Sequence, residues 1–433
     1  MRFRRAWIVL ALGLIGLTMA LVTGREMYYR LTYLLFAILL ISAAWAWSSL
    51  YGLRLRRYTR AQRAQMGQVM EEQLGVKNTS WLPKLLVLVR DQSSLPGHHA
   101  SRVVDGLGPN QEVDWLVRTL CEERGEFHLG PVTISGSDPL GLFERQREFP
   151  QTSRIVVYPP VLPVGNLPPP RGPLPGGDAL RRRTHDITPN AAGVRDYVPG
   201  DSFARIHWAS TARLNRLIVK EFELDPMSDV WIFLDMEGHV QATIDDDPER
   251  HPGEQGVQKS LQQRIQEFRL PPSTEEVAIA AAASVANAFI QQRYAVGLVA
   301  YGQRRELVQP DREKRQQIKL LETLAILRAR GEMPFSQVLN ADGSPLTRGT
   351  TVVTISPSTR QNWAESALYL HTRGLRVLAI VVDAASFGGP DGSTGLKDRL
   401  LAAGIPTVIV SESEPLAETL NALSVSPEME ARA

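Results

Sequence analysis

Residues 193–223 hold the densest group of side chains that could do chemistry in this chain of 433 residues. Arginines and acids alternate there around an aromatic pair. The group consists of Arg195, Asp196, Tyr197, Asp201, Arg205, Trp208, Arg213, Glu221 and Glu223. A charged group of this kind is not typical of a core element. It predicts either a partner-binding site or a rigid clasp between domains, held by buried ion pairs. His207 could serve as a base, but no nucleophile accompanies it, so catalysis is not indicated.

Asp235, Glu237 and His239 form a second candidate group, which follows an apolar run expected to be a buried strand. Carboxylate and imidazole groups are ligands that transition metals accept, so a metal-dependent binding protein or hydrolase is the alternative hypothesis. His98 and His99 lie in a polar loop and are expected to be solvated. The sequence lacks a phosphate-binding loop, a nucleophile elbow, a zinc-protease helix motif and a dinucleotide fingerprint. These absences favour a protein that is not an enzyme.

The local sequence predicts how the first group is held. Pro199–Gly200 is typical of a tight turn, since proline presets φ and glycine accepts a positive φ. Asp201 or Ser202 is expected to cap a short helical turn that carries Arg205 and Trp208. The segment that follows is rich in β-branched and aromatic residues and is expected to be a strand.

The order of these residues resembles the signature of the bacterial domain-of-unknown-function 58 family. That signature is an Arg-acid-Tyr-x-Pro-Gly-Asp run, then Arg-x-Ile-x-Trp, then Ala-Arg, then a strand ending in Glu-Phe-Glu. The matching positions are Arg195, Asp196, Tyr197, Pro199, Gly200, Asp201, Arg205, Ile206, Trp208, Ala212, Arg213, Glu221, Phe222 and Glu223. The resemblance implies a von Willebrand factor A-like domain. It also implies a partner, a MoxR-type AAA+ ATPase, with which the protein would act as an adaptor in the assembly of envelope complexes.

The resemblance further implies where a divalent metal would bind. Von Willebrand factor A-like domains supply Asp-x-Ser-x-Ser after the first strand, a later Thr, and an Asp after the fourth strand. Here Glu237 and His239 replace the two serines, residues 331–334 contain no Thr, and the later strand ends in Ser356. Only Asp235 is retained. A degenerate site without metal or other cofactor is therefore expected, with Asp235 kept for hydrogen bonds within its loop.

Composition and charge limit the class of protein. A length of 433 residues favours two or three folded units, and 43% hydrophobic with 22% charged residues is ordinary for a globular chain. The net charge is only +2, so binding to nucleic acid is not indicated. The single cysteine, Cys121, excludes an intramolecular disulfide and a cysteine-rich metal site.

Two apolar stretches near the N-terminus, residues 6–23 and 31–53, are each long enough to span a bilayer. The arginines that flank them are Arg2, Arg4 and Arg5 before the first, and Arg54, Arg56, Arg57, Arg60 and Arg63 after the second. The connection carries only Arg25 and Arg30, offset by Glu26. The positive-inside rule therefore predicts a two-pass protein of the cell membrane, with both termini and the bulk of the chain in the cytoplasm. A cleaved signal peptide is the alternative, but the second stretch follows at once and no cleavage site is evident.

The remaining chain predicts two folded domains after a transmembrane hairpin over residues 1–63. Residues 66–165 contain short strand candidates between polar turns, which predicts a small β-sandwich with Leu142–Phe143 closing one end. Residues 166–192 are rich in proline and glycine and predict a semi-rigid linker. Residues 193–433 hold the signature segment, after which strands alternate with helices as in a doubly wound, mainly parallel sheet. The predicted fold class is therefore α/β.

Overall fold

The computed structural model describes residues 2–3, 5–165, 167–168, 191–198, 206–222, 229–244, 260–313 and 315–424. The chain divides into two compact units. The first consists of residues 1–160 with 247–269 and 324–326, and the second consists of residues 161–246, 270–323 and 327–433. Helices and sheets both contribute, which confirms a mixed α/β protein. Most of the predicted linker, residues 166 and 169–190, lies outside the described part.

The first unit begins with two apolar helices, α1 (Ala6–Thr23) and α2 (Glu26–Ser49). Both are long and apolar enough to cross a membrane, judged by length and composition alone. Gly24 ends α1 in the left-handed conformation, with a φ of 66°, which glycine adopts without strain. The two helices approach closely at a small residue, because a Cβ atom at Gly16 would lie 2.9 Å from the Thr32 hydroxyl oxygen.

The bounds of α2 differ from the apolar stretch at residues 31–53. The helix begins earlier, at Glu26, which pairs with Arg30 one turn later at 3.0 Å. This exposed pair adds a small local stabilisation that apolar content does not reveal. It ends earlier because Leu53 and Leu55 alternate with arginines, which is the period of a strand rather than of a helix. The last part of the segment assigned to the hairpin therefore belongs to a β-sheet.

The strands of the first unit form three sheets. The strands are β1 (Arg2–Phe3), β2 (Leu53–Thr59), β3 (Arg63–Gln65), β4 (Val69–Asn78), β5 (Lys84–Asp91), β6 (Arg102–Leu107), β7 (Glu112–Leu120), β8 (Gly125–Leu129), β9 (Val132–Ser137), β10 (Phe143–Phe149) and β11 (Ser153–Tyr158). The sheet orders are β1-β10-β9-β5-β6, β2-β4-β7 and β3-β11-β8. A β-rich region after the helices is thus confirmed.

One hydrophobic core is formed by residues of the β1-β10-β9-β5-β6 sheet and of the β2-β4-β7 sheet. Leu74 and Val76 of β4 meet Val87 and Val89 of β5 there, and all four side chains are fully buried. Each such burial contributes about 1.5–3 kcal/mol to folding. The core side chains Leu74 and Val76 are two residues apart in β4, as are Val87 and Val89 in β5, as expected when one face of a strand is solvated.

Leu142 and Phe143 do not close this core, contrary to the prediction. They pack instead in a separate cluster with Ala6, Leu39 and Ala46 of the two apolar helices. The physical reason is the position of β10, which begins at Phe143 and pairs with β1 directly before α1.

The second unit contains a hairpin and a six-stranded sheet. The hairpin consists of β12 (Ala191–Asp196) and β13 (Ile218–Phe222), with α3 (Trp208–Leu214) between them in the chain. The sheet strands are β14 (Val230–Leu234), β15 (Val296–Tyr301), β16 (Arg305–Asp311), β17 (Thr351–Ser356), β18 (Arg376–Val382) and β19 (Thr407–Val410). The remaining helices are α4 (Leu261–Glu267, within the residues of the first unit), α5 (Thr274–Gln291), α6 (Arg315–Ile326), α7 (Phe335–Gly343), α8 (Gln361–Thr372), α9 (Ser393–Ala402) and α10 (Leu416–Asn421).

Helices cover both faces of the six-stranded sheet. Every residue of β14 is buried, as expected for a strand between two helical layers. Trp231 and Phe233 pack on one face with Phe335 of α7 and Trp363 of α8. Ile232 lies between these two residues in the strand, so its side chain faces the opposite side of the sheet, and it is also buried. Helix α5 contacts β14, β15, β17 and β18.

The sheet order is β16-β15-β14-β17-β18-β19, and only the β15–β16 pair is antiparallel. The chain order reverses on the two sides of β14, which pairs with β15 on one side and β17 on the other. Ligands of open α/β sheets bind beyond the carboxyl ends of strands at such a point. Asp235 follows β14 and Ser356 ends β17, so the fold places both residues at this edge.

Candidate functional site

Asp235 is the central side chain of the carboxyl edge, and it is only 1% exposed. Its Oδ2 atom accepts a hydrogen bond from the Ser356 hydroxyl at 2.6 Å, and its Oδ1 atom accepts one from the Glu237 amide at 3.1 Å. The side-chain amide of Gln241 donates to the Asp235 carbonyl oxygen at 3.2 Å. The carboxylate therefore ties the loop after β14 to the end of β17.

The protonation of Asp235 bears directly on metal binding. Burial raises the pKa of Asp235 from 3.8 to about 7, because the hydrogen bonds from Ser356 and from the Glu237 amide compensate for the lost hydration only in part. A hard divalent cation binds ionised carboxylates together with further oxygen ligands. At neutral pH a cation would therefore have to compete with a proton for this carboxylate.

Glu237, the second predicted ligand, already has a cationic partner. Its carboxylate accepts a hydrogen bond from Arg360 at 2.7 Å, and the glutamate side chain is 5% exposed. The Glu237 backbone forms a β-bridge with Gly331. A Cβ atom at position 331 would overlap the carbonyl oxygen of Tyr301, so this close backbone approach requires glycine. The position of Glu237 is therefore set by backbone packing, and its charge is neutralised within the protein.

His239, the third predicted ligand, lies exposed on the short 3-10 helix Gly238–Val240. Among the residues that the structure describes, no group of three or more His, Cys, Asp or Glu side chains is placed to hold a metal ion. The structure thus brings Asp235 and Glu237 into one loop, but it does not assemble a metal site with His239.

The loop after β17 completes the edge with contacts that sequence reasoning missed. The Ser356 hydroxyl accepts a hydrogen bond from the Ser358 amide at 3.0 Å. The indole of Trp363 donates to the Ser358 carbonyl oxygen at 2.8 Å, and the Arg360 amide donates to the Ser358 hydroxyl at 3.3 Å. The available signal was a serine at the end of a buried strand, where the resemblance implied an aspartate. A serine hydroxyl can donate a hydrogen bond to Asp235, whereas a second ionised carboxylate cannot.

The first candidate group is described in part. Asp201, Arg205 and Glu223 lie outside the described residues, and the description of Arg195 and Glu221 covers only their backbone in the β12–β13 hairpin. Asp196 pairs with Arg216 at 3.1 Å, with the two side chains 60% and 61% exposed. Tyr197 donates its amide hydrogen to the Leu217 carbonyl oxygen at 2.9 Å. This described ion pair lies at the surface, so the buried pairs expected for a clasp stay a prediction.

Helix α3 presents the remaining members of this group to solvent. Trp208 is its first residue and is 65% exposed, and Arg213 in its last turn is exposed as well. His207 caps the helix, because its Nδ1 atom accepts a hydrogen bond from the Ser210 amide at 3.3 Å. Asn215 ends the helix with a φ of 52°. The turn predicted at Pro199–Gly200 and the cap predicted at Asp201 or Ser202 lie outside the described residues.

A buried charge network in the first unit corrects one sequence interpretation and adds a role for Arg57 that its place after the second apolar stretch did not reveal. The Arg57 side chain is 2% exposed and pairs with Glu72 at 2.7 Å and with Asp91 at 2.8 Å. His98, predicted to be solvated, is fully buried at its side chain. Its Nε2 atom lies 3.1 Å from a Glu72 oxygen, and its Nδ1 atom lies 2.8 Å from the Thr119 hydroxyl.

The network keeps Glu72 ionised in the core. Burial alone would raise the pKa of Glu72, but hydrogen bonds from His98 and Arg57 outweigh it and lower the pKa from 4.5 to about 2. Buried charges persist when they are paired and hydrogen-bonded in this way. The network therefore stabilises the first unit rather than offering an open reactive group.

Comparisons with known proteins point to one family. Residues 193–246 match the family described as protein of unknown function DUF58. The uncharacterized protein YeaD of Bacillus subtilis (strain 168) is 29% identical over 164 residues, which are 36% of this chain and 41% of that protein. The chain thus spans about two fifths of the length of this curated relative.

Solved structures add no further argument. The CARDB domain of a Pyrococcus furiosus protein is 16% identical, with a TM-score of 0.19 over 24% of this chain and 91% of the domain. A chain from the human complex of zinc 2-glycoprotein and prolactin-inducible protein is 10% identical, with a TM-score of 0.20 over 24% of this chain and 92% of its own length. TM-scores this low carry no conclusion about fold. The family match at residues 193–246 and the relative YeaD together support membership of this chain in the DUF58 family of proteins of unknown function.

Proposed function

We propose that this protein is an adaptor anchored in the membrane by α1 and α2, with the β-sheets of the first unit and the whole second unit in the cytoplasm, where it works with a MoxR-type AAA+ ATPase in the assembly of envelope complexes. The observation that carries the proposal is the closed carboxyl edge of the sheet. Asp235 is bound by Ser356 and Glu237 is bound by Arg360, at the place where an open sheet would bind a ligand. An edge filled by its own side chains suits a protein-binding surface better than a catalytic site.

The proposal includes the finer fold assignments. We take the α/β unit to be a von Willebrand factor A-like domain. A six-stranded sheet with one antiparallel edge strand, helices on both faces and a buried aspartate after β14 supports this assignment. We take the first unit to contain a β-sandwich, and the core shared by two of its sheets supports that interpretation. The choice of ATPase as partner rests on the resemblance of the signature segment.

Exposure on α3 favours partner binding over an internal clasp for the signature segment. Trp208 is 65% exposed, although a tryptophan usually buries most of its large apolar surface. Tryptophan and arginine are also the residues most enriched among those that dominate binding energy at interfaces. Trp208 and Arg213, on one helix, are therefore the contacts that we assign to the partner.

The test of this function is capture of a co-expressed MoxR-type ATPase by the full chain in detergent. We expect Trp208→Ala and Arg213→Ala each to weaken capture about tenfold or more, as loss of a dominant contact does. Tyr369→Ala is the matched control, because Tyr369 is 53% exposed on α8 and also lies beside an arginine, Arg373. Capture by both α3 variants at the level of the parent would contradict the assigned surface.

The alternative function, a metal-dependent binding protein or hydrolase, predicts a cation at Asp235. We expect no binding of Mg²⁺ or Mn²⁺ at physiological concentrations, and no change in ATPase capture with a chelator. The reason is that Mg²⁺ demands near-octahedral oxygen ligands, whereas Asp235 is partly protonated and Glu237 is paired with Arg360.

Calorimetric titration checks this prediction. The full chain should be used, because a fragment starting after Arg63 would lack β2 and the buried Arg57. A one-to-one Mg²⁺ isotherm that Asp235→Ala abolishes would favour the metal-dependent function instead.

The proposed orientation in the membrane predicts the location of the C-terminus. A reporter enzyme fused after Ala433 should be active in the cytoplasm and inactive outside, because arginines flank both apolar helices on one side. A matching fusion in the connection at Gly24 should show the opposite pattern. Export of the C-terminal reporter would overturn the cytoplasmic assignment.

A further inference from the structure

The end of α2 is fastened to the β-sheets of the first unit. The last carbonyl groups of a helix have no partner within the helix, and here two cationic side chains bind them. The Lys84 ammonium donates to the Ser48 carbonyl oxygen at 2.6 Å, and the Arg145 guanidinium donates to the Trp47 carbonyl oxygen at 3.0 Å. Both cations also suit the negative end of the helix dipole. We call the end of the helical pair at which α1 begins and α2 ends its base. These contacts hold the β-sheets directly against this base.

The connection between helix and sheet is also short. α2 ends at Ser49 and β2 begins at Leu53, and the three intervening residues can span at most about 10 Å. Gly52 packs so closely on the next loop that a Cβ atom there would lie 2.9 Å from the Ser80 amide nitrogen. If α1 and α2 span a bilayer, the sheets are therefore kept at its surface and not on a flexible tether.

Five large apolar or aromatic side chains are exposed around this same base. They are Trp7 at 64%, Trp47 at 62%, Tyr51 at 64%, Trp81 at 79% and Leu140 at 60%. We call this set the basal ring.

Each member of the basal ring adjoins the base of the helical pair in the structure. Trp7 is the second residue of α1, and Trp47 lies in the last turn of α2. Tyr51 precedes Gly52, and Trp81 follows Ser80, so these two aromatics flank the contact between the α2–β2 connection and its neighbouring loop. Leu140 lies in the turn before Leu142, which packs in the cluster with Ala46 at the foot of α2.

We propose that the basal ring is a membrane-interface site, by which the first unit inserts aromatic and apolar side chains from its loops into the headgroup region of the lipid bilayer. Tryptophan and tyrosine prefer this region because their rings are apolar and their N–H and O–H groups are polar. Two of the members, Trp81 and Leu140, belong to the β-sheet region rather than to the helices, so the inference goes beyond membrane anchoring by two helices. The inference rests on the proposed membrane anchoring, because the basal ring continues the exposed apolar surface of α1 and α2.

The test uses the full chain in lipid nanodiscs with one spin label at a time. Cys121 is buried, and burial raises the pKa of its thiol to about 11, so it stays unreactive. Labels are placed through Trp81→Cys and Leu140→Cys. Leu116→Cys is the matched control, because Leu116 is 52% exposed on β7 and lies opposite Gln73, which pairs with Tyr58, five residues along β2 from the end that follows α2. Leu14→Cys reports on α1, where Leu14 is 49% exposed.

Accessibility of each label to oxygen and to a water-soluble nickel complex gives the result. We expect labels at 81 and 140 to be severalfold less accessible to the nickel complex than the label at 116, and more accessible to oxygen, which concentrates in lipid. The basal ring alone would be overturned if the labels at 81 and 140 were as accessible to the nickel complex as the label at 116 while position 14 was protected by lipid. Protection of 81 and 140 from both agents would mean that protein covers them, which also overturns it. Exposure of position 14 to water would overturn the proposed anchoring and the ring with it.

Discussion

Replacing Arg57 by alanine is expected to lower the free energy of unfolding of the first unit by about 3–5 kcal/mol, because it strands buried carboxylates. Glu72 and Asp91 would lose the guanidinium that lies 2.7 Å and 2.8 Å from them. His98 would remain beside the two acids, at 3.1 Å and 3.7 Å, together with the hydroxyls of Thr59 and Ser93 that donate to Glu72 and Asp91. Removing one side of a buried, hydrogen-bonded network costs more than the network itself contributes, since the remaining charges cannot return to water.

Cys121 supplies the measurement for this prediction. It is the only cysteine in the chain and is buried at the end of β7, so its reaction with a thiol reagent reports opening of the first unit. The control is Arg118→Ala, since Arg118 is 58% exposed and pairs with Glu71 at the surface, where an ion pair contributes at most about 1 kcal/mol. Equal reaction rates in Arg57→Ala and Arg118→Ala would contradict the prediction.

The same reaction also tests the ionisation of Glu72. Its pKa is lower in the folded chain, about 2, than its ordinary value of 4.5. The contribution of ionised Glu72 to the free energy of unfolding is therefore complete above about pH 4.5 and is lost as the pH falls toward about 2. A pyridyl disulfide, which reacts with thiols in acid, should react with Cys121 faster as the pH falls through this range. This pH dependence of the reaction rate should be reduced in Glu72→Gln.

Replacing Trp363 by alanine is expected to destabilise the second unit by about 3–5 kcal/mol, the usual cost of deleting a fully buried tryptophan. Trp363 is 1% exposed and packs edge-on against Phe335 at 5.7 Å between ring centroids. Its indole also donates to the Ser358 carbonyl oxygen at 2.8 Å. Loss of this side chain therefore leaves a cavity and releases the loop that supplies Ser356 to Asp235.

Amide hydrogen exchange of the full chain locates this effect. In Trp363→Ala, peptides from β14 and β17 should exchange faster than in the parent, whereas peptides from β4 and β5 should exchange at the parent's rate. Trp363→Phe fills most of the cavity but leaves the Ser358 carbonyl group without its donor, which costs about 1–3 kcal/mol. Trp208→Ala is the control, since Trp208 is 65% exposed and its removal should change exchange little. Unchanged exchange in β14 of the alanine variant would refute the role assigned to Trp363.

Local patterns were sufficient to predict much of the fold. The apolar stretch at residues 6–23 is α1 with the same bounds, and the buried run of β14 lies at the centre of the α/β sheet. These features follow from sequence because helical and strand periods are set by neighbours along the chain. The signature segment was likewise recognisable, since its residues lie within a short stretch that the family match covers.

The sequence by itself therefore determined the two apolar helices, the β-rich region after them, the alternation of strands and helices, and the family of the signature segment. Only the tertiary structure decided the roles of the charged residues. Asp235 meets Ser356 across 121 positions of sequence, and Glu72 meets His98 across 26. An arginine or histidine has the same local appearance whether it will be solvated or buried. Its state depends on which carboxylates the folded chain brings within hydrogen-bonding distance, and local sequence does not contain that information.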